Sequence, residues 1–142
     1  MEYKINGQLI EISNAKILWK NFIGELGFYD KEGGRNFCLV LSDDASVNFF
    51  KQNGYSVAVK SSGVEVGEFI RYLKVKLKFN NEEPIITLKS NNKTIRVDEN
   101  LVSVLDSIKI KSVDMSIKPY HWELPNGEHG QIAYLSGMTV YQ

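Results

Sequence analysis

The segment that most constrains the fold is residues 69–79, where apolar and polar residues alternate more regularly than anywhere else in the chain. Leu73, Val75, Leu77 and Phe79 recur at every second position. Because successive side chains of a strand point to opposite faces, this period of two predicts a β-strand with one buried face. The opposite face is expected to carry Tyr72, Lys74, Lys76 and Lys78.

Turn signals divide the rest of the chain into further short strands. Ser90-Asn91-Asn92 predicts the tight turn of a hairpin, and Asn126-Gly127 is the strongest turn signal in the chain. Glycine and charge are dense in residues 24–34, which predicts a loop. The predicted strands are residues 15–23, 35–41, 55–60, 85–88, 94–97, 108–118 and 130–141.

Two of these strands carry more detailed expectations. Along residues 108–118 the apolar positions change parity, which predicts a β-bulge around Ser112. In residues 35–41, Cys38 has apolar neighbours and is expected to be a buried thiol within the strand. Alternation along residues 15–23 predicts one face with Ala15, Ile17 and Trp19, and another with Lys16, Lys20 and Phe22.

Helices are few. Asp43 or Asp44 is a suitable N-cap for a helix that directs Val47 and Phe50 inward and ends at Gly54. A second, short helix is expected from Asp98 or Asn100 to Ser107. The predicted fold is all-β or β-rich α+β: a small OB-like five-stranded barrel with an extra hairpin and one or two short helices. A two-sheet sandwich is the alternative, and 142 residues suit a single domain over residues 1–142.

Composition limits the classes of partner. Seventeen basic residues balance seventeen acidic ones, so attraction to nucleic acid requires a local patch, and membrane binding is not expected. The first twelve residues lack the pattern of a signal peptide, and no apolar run approaches the roughly 20 residues that span a bilayer. A cytoplasmic location is therefore expected.

Catalytic chemistry has little support in this sequence. Nucleophilic catalysis needs an oriented base, but Cys38 and the two histidines lie in unrelated contexts, and the phosphate-binding motif of nucleotide hydrolases is absent. His121, Glu123, Glu128 and His129 could approach one metal ion across a hairpin, but their spacing matches no recognised ligand motif, and a polar hairpin tip is the favoured interpretation. We therefore expect a protein that is not an enzyme and has no cofactor or resident metal.

The lysine face of residues 69–79 is the strongest functional signal, because Lys74, Lys76 and Lys78 lie beside the aromatic ring of Tyr72. Binding of a single nucleic-acid strand requires this combination of cations for phosphates and a ring for base stacking. The alternative is a solvated outer face, or an edge strand protected from aggregation by lysine. The surplus of aromatic residues over the needs of one small core favours binding.

Three blocks of the sequence resemble a family of bacteriophage and prophage single-stranded DNA-binding proteins. The first reads AKILWKNFIG at residues 15–24 and GGRNF at residues 33–37. The second reads NGYSV at residues 53–57, and the third reads VDMSIKPYHWE at residues 113–123 and GQIAYL at residues 130–135. The resemblance implies an OB-type barrel that coats single-stranded DNA, with little sequence preference, during phage replication or recombination in the bacterial host cell.

This resemblance also implies a set of binding residues. Asn21-Phe22 and Arg35-Asn36-Phe37 are the positions that rest on the family-like pattern, which brings Phe37 into the expected interface. Phosphate contacts are expected from Lys16, Lys20, Arg35, Lys74 and Lys76. Base stacking is expected from Trp19, Phe22, Tyr29, Tyr72 and Trp122.

Single-stranded DNA is thus the expected partner, with phage replication or recombination proteins as further candidates. Glu128 is the last acidic residue, so we do not expect recruitment through an acidic tail, and the final strand is instead a candidate contact in a homo-oligomer. The competing hypothesis is a non-enzymatic protein–protein interaction module, such as a phage structural or inhibitor protein, which uses its aromatic loops against another protein.

Overall fold

A computed structural model describes residues 1–25, 34–63, 66–80 and 82–142. Within these residues the chain forms ten strands and two short helices, so the strand-rich class predicted from the sequence is confirmed. The strands are β1 Glu2–Asn6, β2 Leu9–Ala15, β3 Ile17–Asn21, β4 Arg35–Val40, β5 Ala58–Ser61, β6 Phe69–Leu77, β7 Ile85–Ser90, β8 Lys93–Val97, β9 Ser112–Glu123 and β10 His129–Tyr141. The helices are α1 Asp44–Gln52 and α2 Val104–Ser107.

The strands belong to one sheet with the order β1-β2-β9-β10-β6-β4-β3. Most neighbours are antiparallel, but β10 is parallel to β6 at Ala133 and Tyr134 and parallel to β7 farther along. On the side branches, β5 pairs with β6, and β8 pairs with β7. The path has ends at β1 and β3, so the assigned sheet is not closed into the barrel that the sequence predicted.

The core lies on the inner face of β6 and its neighbours. Leu73, Val75 and Leu77 are buried there, which confirms the period-two prediction. Phe37 and Leu39 of β4 lie opposite Val75 and Leu73 and are fully buried. Cys38, on the other face of β4, is also buried, as expected. The outer face of β6 is left with Tyr72, Lys74 and Lys76, each only partly buried.

The predicted alternation of β3 fails at Trp19. Its backbone is left-handed, with φ +51°, and the pairing of β3 with β4 shifts register between Leu18 and Asn21. A left-handed residue breaks the alternation of side chains in the same way as a β-bulge. Ala15 and Ile17 therefore stay buried, while Trp19 turns outward and Phe22 turns into the core.

Helix α1 agrees with the sequence prediction. The Asp43 carboxylate accepts a hydrogen bond from the Ser46 amide at 2.7 Å, as an N-cap should, and Val47 and Phe50 are buried. Gly54 follows the helix with φ +90°, a conformation that glycine adopts without strain. Helix α2 is shorter than expected and begins only at Val104, because the preceding residues form turns.

The predicted hairpin of β7 and β8 is confirmed, and Asn91 and Asn92 both have positive φ, as a two-residue hairpin turn demands. The bulge expected around Ser112 is wrong, because β9 begins at that residue and the parity change marks the strand's start. An irregularity lies instead in β10, between Leu135 and Gly137.

Two further differences concern strand limits at the start and middle of the chain. The hairpin of β1 and β2 was not predicted, although Ile10 and Ile12 alternate within β2 and are buried. Strand β5 begins three residues later than the predicted strand over residues 55–60. In the described part of the chain, neither helix has the length and apolar character needed to cross a membrane.

Candidate nucleic-acid interface

A groove of about 390 Å³ lies on the outer face of β4 and β6, where β3 and β5 approach them. The pairing register explains its composition, because Cys38 lies opposite Lys74, and Tyr72 lies opposite both Val40 and Ala58. Tyr72 and Lys74, from the outward set of β6 that the sequence predicted, thus belong to one wall. The described lining residues are Trp19, Asn36, Cys38, Val59, Lys60, Tyr72 and Lys74.

Two aromatic rings define the open side of this groove. The Trp19 and Tyr72 rings meet edge to face, with centroids 5.1 Å apart and planes at 78°. Trp19 is 38% exposed despite its size, because its left-handed backbone directs the indole outward. A bulky residue with positive φ is a conformational outlier of the kind that clusters at functional sites. The pair therefore presents aromatic surface to solvent at a strained position.

Positive charge surrounds the two rings. The Lys60 ammonium lies 5.0 Å from the centre of the Trp19 ring, within the range of a cation–π contact. Lys74 lines the same groove, and Lys76 follows it on the outer face of β6. None of the described residues that line the groove is acidic. The arrangement can accept a planar, π-rich group beside a negatively charged one.

The groove collects three of the residues predicted to bind nucleic acid, namely Trp19, Tyr72 and Lys74. Lys76 lies next to it, and Lys16 is exposed at the single-residue link between β2 and β3. Trp122 lies elsewhere, on β9, with its indole over Gly130 so closely that a Cβ there would approach the ring to 2.6 Å. Tyr29 falls outside the described residues.

Phe22 and Phe37 differ from their predicted roles, which were base stacking for Phe22 and a place in the nucleic-acid interface for Phe37. Both rings are fully buried and stack on each other, with centroids 5.4 Å apart and planes at 25°. In this structure no face of either ring is open to a ligand. Their place in the family-like pattern reflects packing of the core, which the sequence alone could not distinguish from contact with DNA.

Lys20 and Arg35 also differ from their predicted role, because their donors are bound to protein groups. The Lys20 ammonium donates to the carbonyls of Leu105 and Ile108, both at 2.8 Å, and so holds the end of α2. The Arg35 guanidinium donates to the Phe22 carbonyl at 2.9 Å and lies 3.4 Å from a Glu99 carboxylate oxygen. In this structure both cations contact protein groups, a structural role that the sequence prediction did not include.

Val59 and Lys60 are the groove residues that sequence reasoning missed. Both belong to β5, which lies beside the first half of β6, with Lys60 opposite Ile70. The strand itself was expected, but the pattern of one strand does not indicate which neighbour it pairs with. The useful signal would have been the glycine-bearing turn that joins two adjacent strands, because adjacent strands joined by a short connection usually pair.

The alternative metal site at the end of the β9–β10 hairpin finds no support in the geometry. His129 pairs with Glu123, whereas His121 pairs with Gln131, two residues farther along β10. Across the described ranges, no three His, Cys, Asp or Glu side chains come close enough together to hold a metal ion. This hairpin is a polar tip in the structure.

Comparison with known proteins agrees with the character of the groove. A family model described as "Putative phage ssDNA-binding domain" matches residues 2–142. The chain belongs to this family. No curated protein sequence matches it significantly.

Solved structures give a similar fold at low sequence identity. The single-stranded DNA-binding protein from bacteriophage Enc34 is 14% identical, with a TM-score of 0.57 over 94% of this chain and 80% of that one. The same phage protein in complex with single-stranded DNA is 15% identical, with a TM-score of 0.58 over 94% of this chain and 85% of that one. At such identities the likeness concerns the fold.

Proposed function

We propose that this protein binds single-stranded DNA through the groove on β4 and β6. Its family membership over residues 2–142 gives the class of ligand, and the groove has the matching chemistry. The observation that carries the proposal is the outward-facing pair of Trp19 and Tyr72, with the Lys60 ammonium over the Trp19 ring, Lys74 in the same lining and no acidic residue in the described lining. Rings stack on bases and ammonium groups contact phosphates.

Binding has little dependence on base sequence. Stacking is tolerant because every base has a π face, and it contributes about 1–3 kcal/mol per base. Recognition of a particular base sequence would need fixed hydrogen-bond donors and acceptors directed at the edges of the bases. The Asn36 amide in the groove is only 6% exposed and donates to the Gly34 carbonyl at 3.1 Å. The lysines are flexible cations that recognise phosphate charge.

The finer architecture that we propose is OB-like. Strands β2 and β3 are separated by Lys16 alone, and β2 pairs with β9 at Ala15 while β3 pairs with β4 at Ile17. The Lys16 carbonyl also accepts a hydrogen bond from the Val40 amide at 2.9 Å. We take β2 and β3 as the two halves of one bent strand. Its first half pairs with β9 and its second half pairs with β4, so it joins the two ends of the series β4, β6, β10 and β9. That gives five strands in a partly open ring.

The position of the groove supports the OB-like arrangement. Oligonucleotides bind OB folds across the second and third strands, between the loop after the first strand and the loop after the fourth. In the proposed ring, β4 and β6 are the second and third strands, and the β9–β10 turn is the loop after the fourth. The groove on β4 and β6 therefore occupies the expected place for a nucleic-acid strand.

The cellular role that follows is non-enzymatic coating of single strands during phage DNA replication or recombination in the cytoplasm of the host. One domain over residues 1–142 performs it. The groove supports a binding role, because no histidine or carboxylate lines it in the described residues and the Cys38 thiol in it is buried. Histidine and carboxylate are the commonest general acids and bases, and an accessible thiolate is a common nucleophile.

Fluorescence anisotropy tests the proposal directly. A labelled oligo-dT of about 30 nucleotides is titrated with protein at about 50 and 200 mM salt, with duplex DNA as competitor. We expect tight binding that weakens steeply with salt and that duplex displaces poorly. Absence of binding at the lower salt concentration, or equal displacement by duplex, would contradict the proposal.

A further inference from the structure

We infer that Tyr120, Tyr134 and Lys78 form a second base-binding subsite, which lies on the same outer face as the groove and takes the same DNA strand. This inference rests on the proposed function and extends it. The pairing register places the two tyrosines: Tyr134 of β10 lies beside Lys76 of β6, and Tyr120 of β9 lies opposite Ile132 of β10. Lys78 is placed by its contact with the Tyr134 ring. The two tyrosines are thus on β9 and β10, beside the end of β6 that is farther from the groove.

The local geometry repeats that of the groove. The Tyr120 and Tyr134 rings meet edge to face, with centroids 5.9 Å apart and planes at 89°. The Lys78 ammonium lies 5.2 Å from the centre of the Tyr134 ring, as Lys60 lies over Trp19. Tyr120 is 55% exposed, a large fraction for an aromatic side chain within a paired strand. An exposed ring, a supporting ring and an ammonium group therefore recur as a unit.

A path of positive charge connects the two units. Tyr72, Lys74 and Lys76 follow one another on the outer face of β6, and Lys76 is the neighbour of Tyr134. At about 3.3 Å per residue, the four steps along the strand from Tyr72 to Lys76 span about 13 Å. Within the described chain, Lys76 and Lys78 form no ion pair. Phosphates between the two stacked bases would meet these ammonium groups.

The surroundings limit where the path can run. Lys118, on the other side of Tyr134, is ion-paired with Glu82, so its charge is already balanced. Farther along β10, Lys89 lies over the ring of Tyr141 at 5.8 Å, but the Tyr141 hydroxyl donates to the Asp114 carboxylate. That second lysine–tyrosine pair has an acidic neighbour, which would repel phosphate. It supplies a matched control.

Oligonucleotide length separates one subsite from two. Full-length protein is titrated with labelled oligo-dT of about 4 and about 16 nucleotides, which are the limits of site size for OB folds. We expect Tyr120→Ala to weaken binding of the longer strand by about 5- to 150-fold, the loss of one stacked base. Binding of the shorter strand should change little, because it still fits the groove. Tyr120→Phe keeps the ring and should keep the affinity.

The matched cation variants complete the test. Lys78→Gln should reduce the salt dependence of binding to the longer strand, whereas Lys89→Gln should leave it unchanged. Equal weakening of both strands by Tyr120→Ala, or no weakening of either, would overturn the second subsite while wild-type binding remained intact. Failure of the wild-type protein to bind either strand would instead refute the proposed function.

Discussion

Substitution of Trp19 separates the role of its ring from the role of its backbone. Trp19→Ala and Trp19→Gly both remove the indole, which lies 5.1 Å from the Tyr72 ring and 38% exposed. Each variant should therefore lose the stacking energy of one base, about 1–3 kcal/mol, or about 5- to 150-fold in affinity for oligo-dT. The two variants should be equal in binding.

Their stabilities should differ, because residue 19 has φ +51°. A residue with a Cβ costs roughly 1–2 kcal/mol in the left-handed region, whereas glycine enters it freely. We expect Trp19→Gly to be more stable than Trp19→Ala by about 1 kcal/mol, or roughly 2–4 °C in Tm for a chain of this size. Urea and thermal unfolding measure the difference.

The assay is anisotropy of labelled oligo-dT, with Lys89→Gln as a control variant remote from the groove. If both Trp19 variants bound DNA with wild-type affinity, the groove could not be the interface. If the alanine variant were as stable as the glycine variant, the left-handed conformation at this position would carry no strain. The two results refute separate steps of the reasoning.

Three other predictions concern residues whose roles the structure distinguishes. Lys76→Gln should reduce the magnitude of the slope of log K against log salt by about 0.7, the loss of one phosphate contact. Lys20→Gln should leave this slope unchanged but lower the melting temperature, since it removes the hydrogen bonds to two carbonyls. Phe37→Ala should lower the free energy of unfolding in urea by about 3–5 kcal/mol, because the ring is fully buried. Burial raises the pKa of Tyr55 from 10.0 to about 12, so the stability contributed by its protonated hydroxyl is present below pH 10 and declines towards pH 12. Tyr55→Phe should show a smaller loss of stability over that interval in urea titrations at alkaline pH.

Much of the local structure could be predicted because it depends on neighbouring residues. The alternation of Leu73, Val75 and Leu77 indicated the buried face of β6, and with it the cationic outer face that forms one wall of the groove. Capping by Asp43 and the paired asparagines of the β7–β8 turn are equally local signals. The energies of these features depend on residues a few positions apart, so the local sequence is enough to predict them.

The sequence predictions failed where contacts between distant residues determine the position of a side chain. Base stacking was predicted for both Phe22 and Trp19, but the left-handed backbone at residue 19 leaves the indole exposed and Phe22 buried. Lys20 looked like a phosphate ligand, but its partners are carbonyls 85 and 88 residues away in sequence. Pairing of β5 with β6, which brings Lys60 to the groove, joins residues only 8 to 14 positions apart, but the pattern of one strand does not indicate which neighbour it pairs with.

The left-handed backbone at Trp19 couples the orientation of its indole, the proposed DNA contact, to the packing of the core. The same change of direction exposes the indole and buries Phe22, whose amide is held by the Asp106 carboxylate at 2.8 Å. A local opening of that contact would free the end of β3 and let the indole reorient without unfolding the sheet. Such fluctuations would appear as faster amide hydrogen exchange at Phe22, and a bound strand should suppress them.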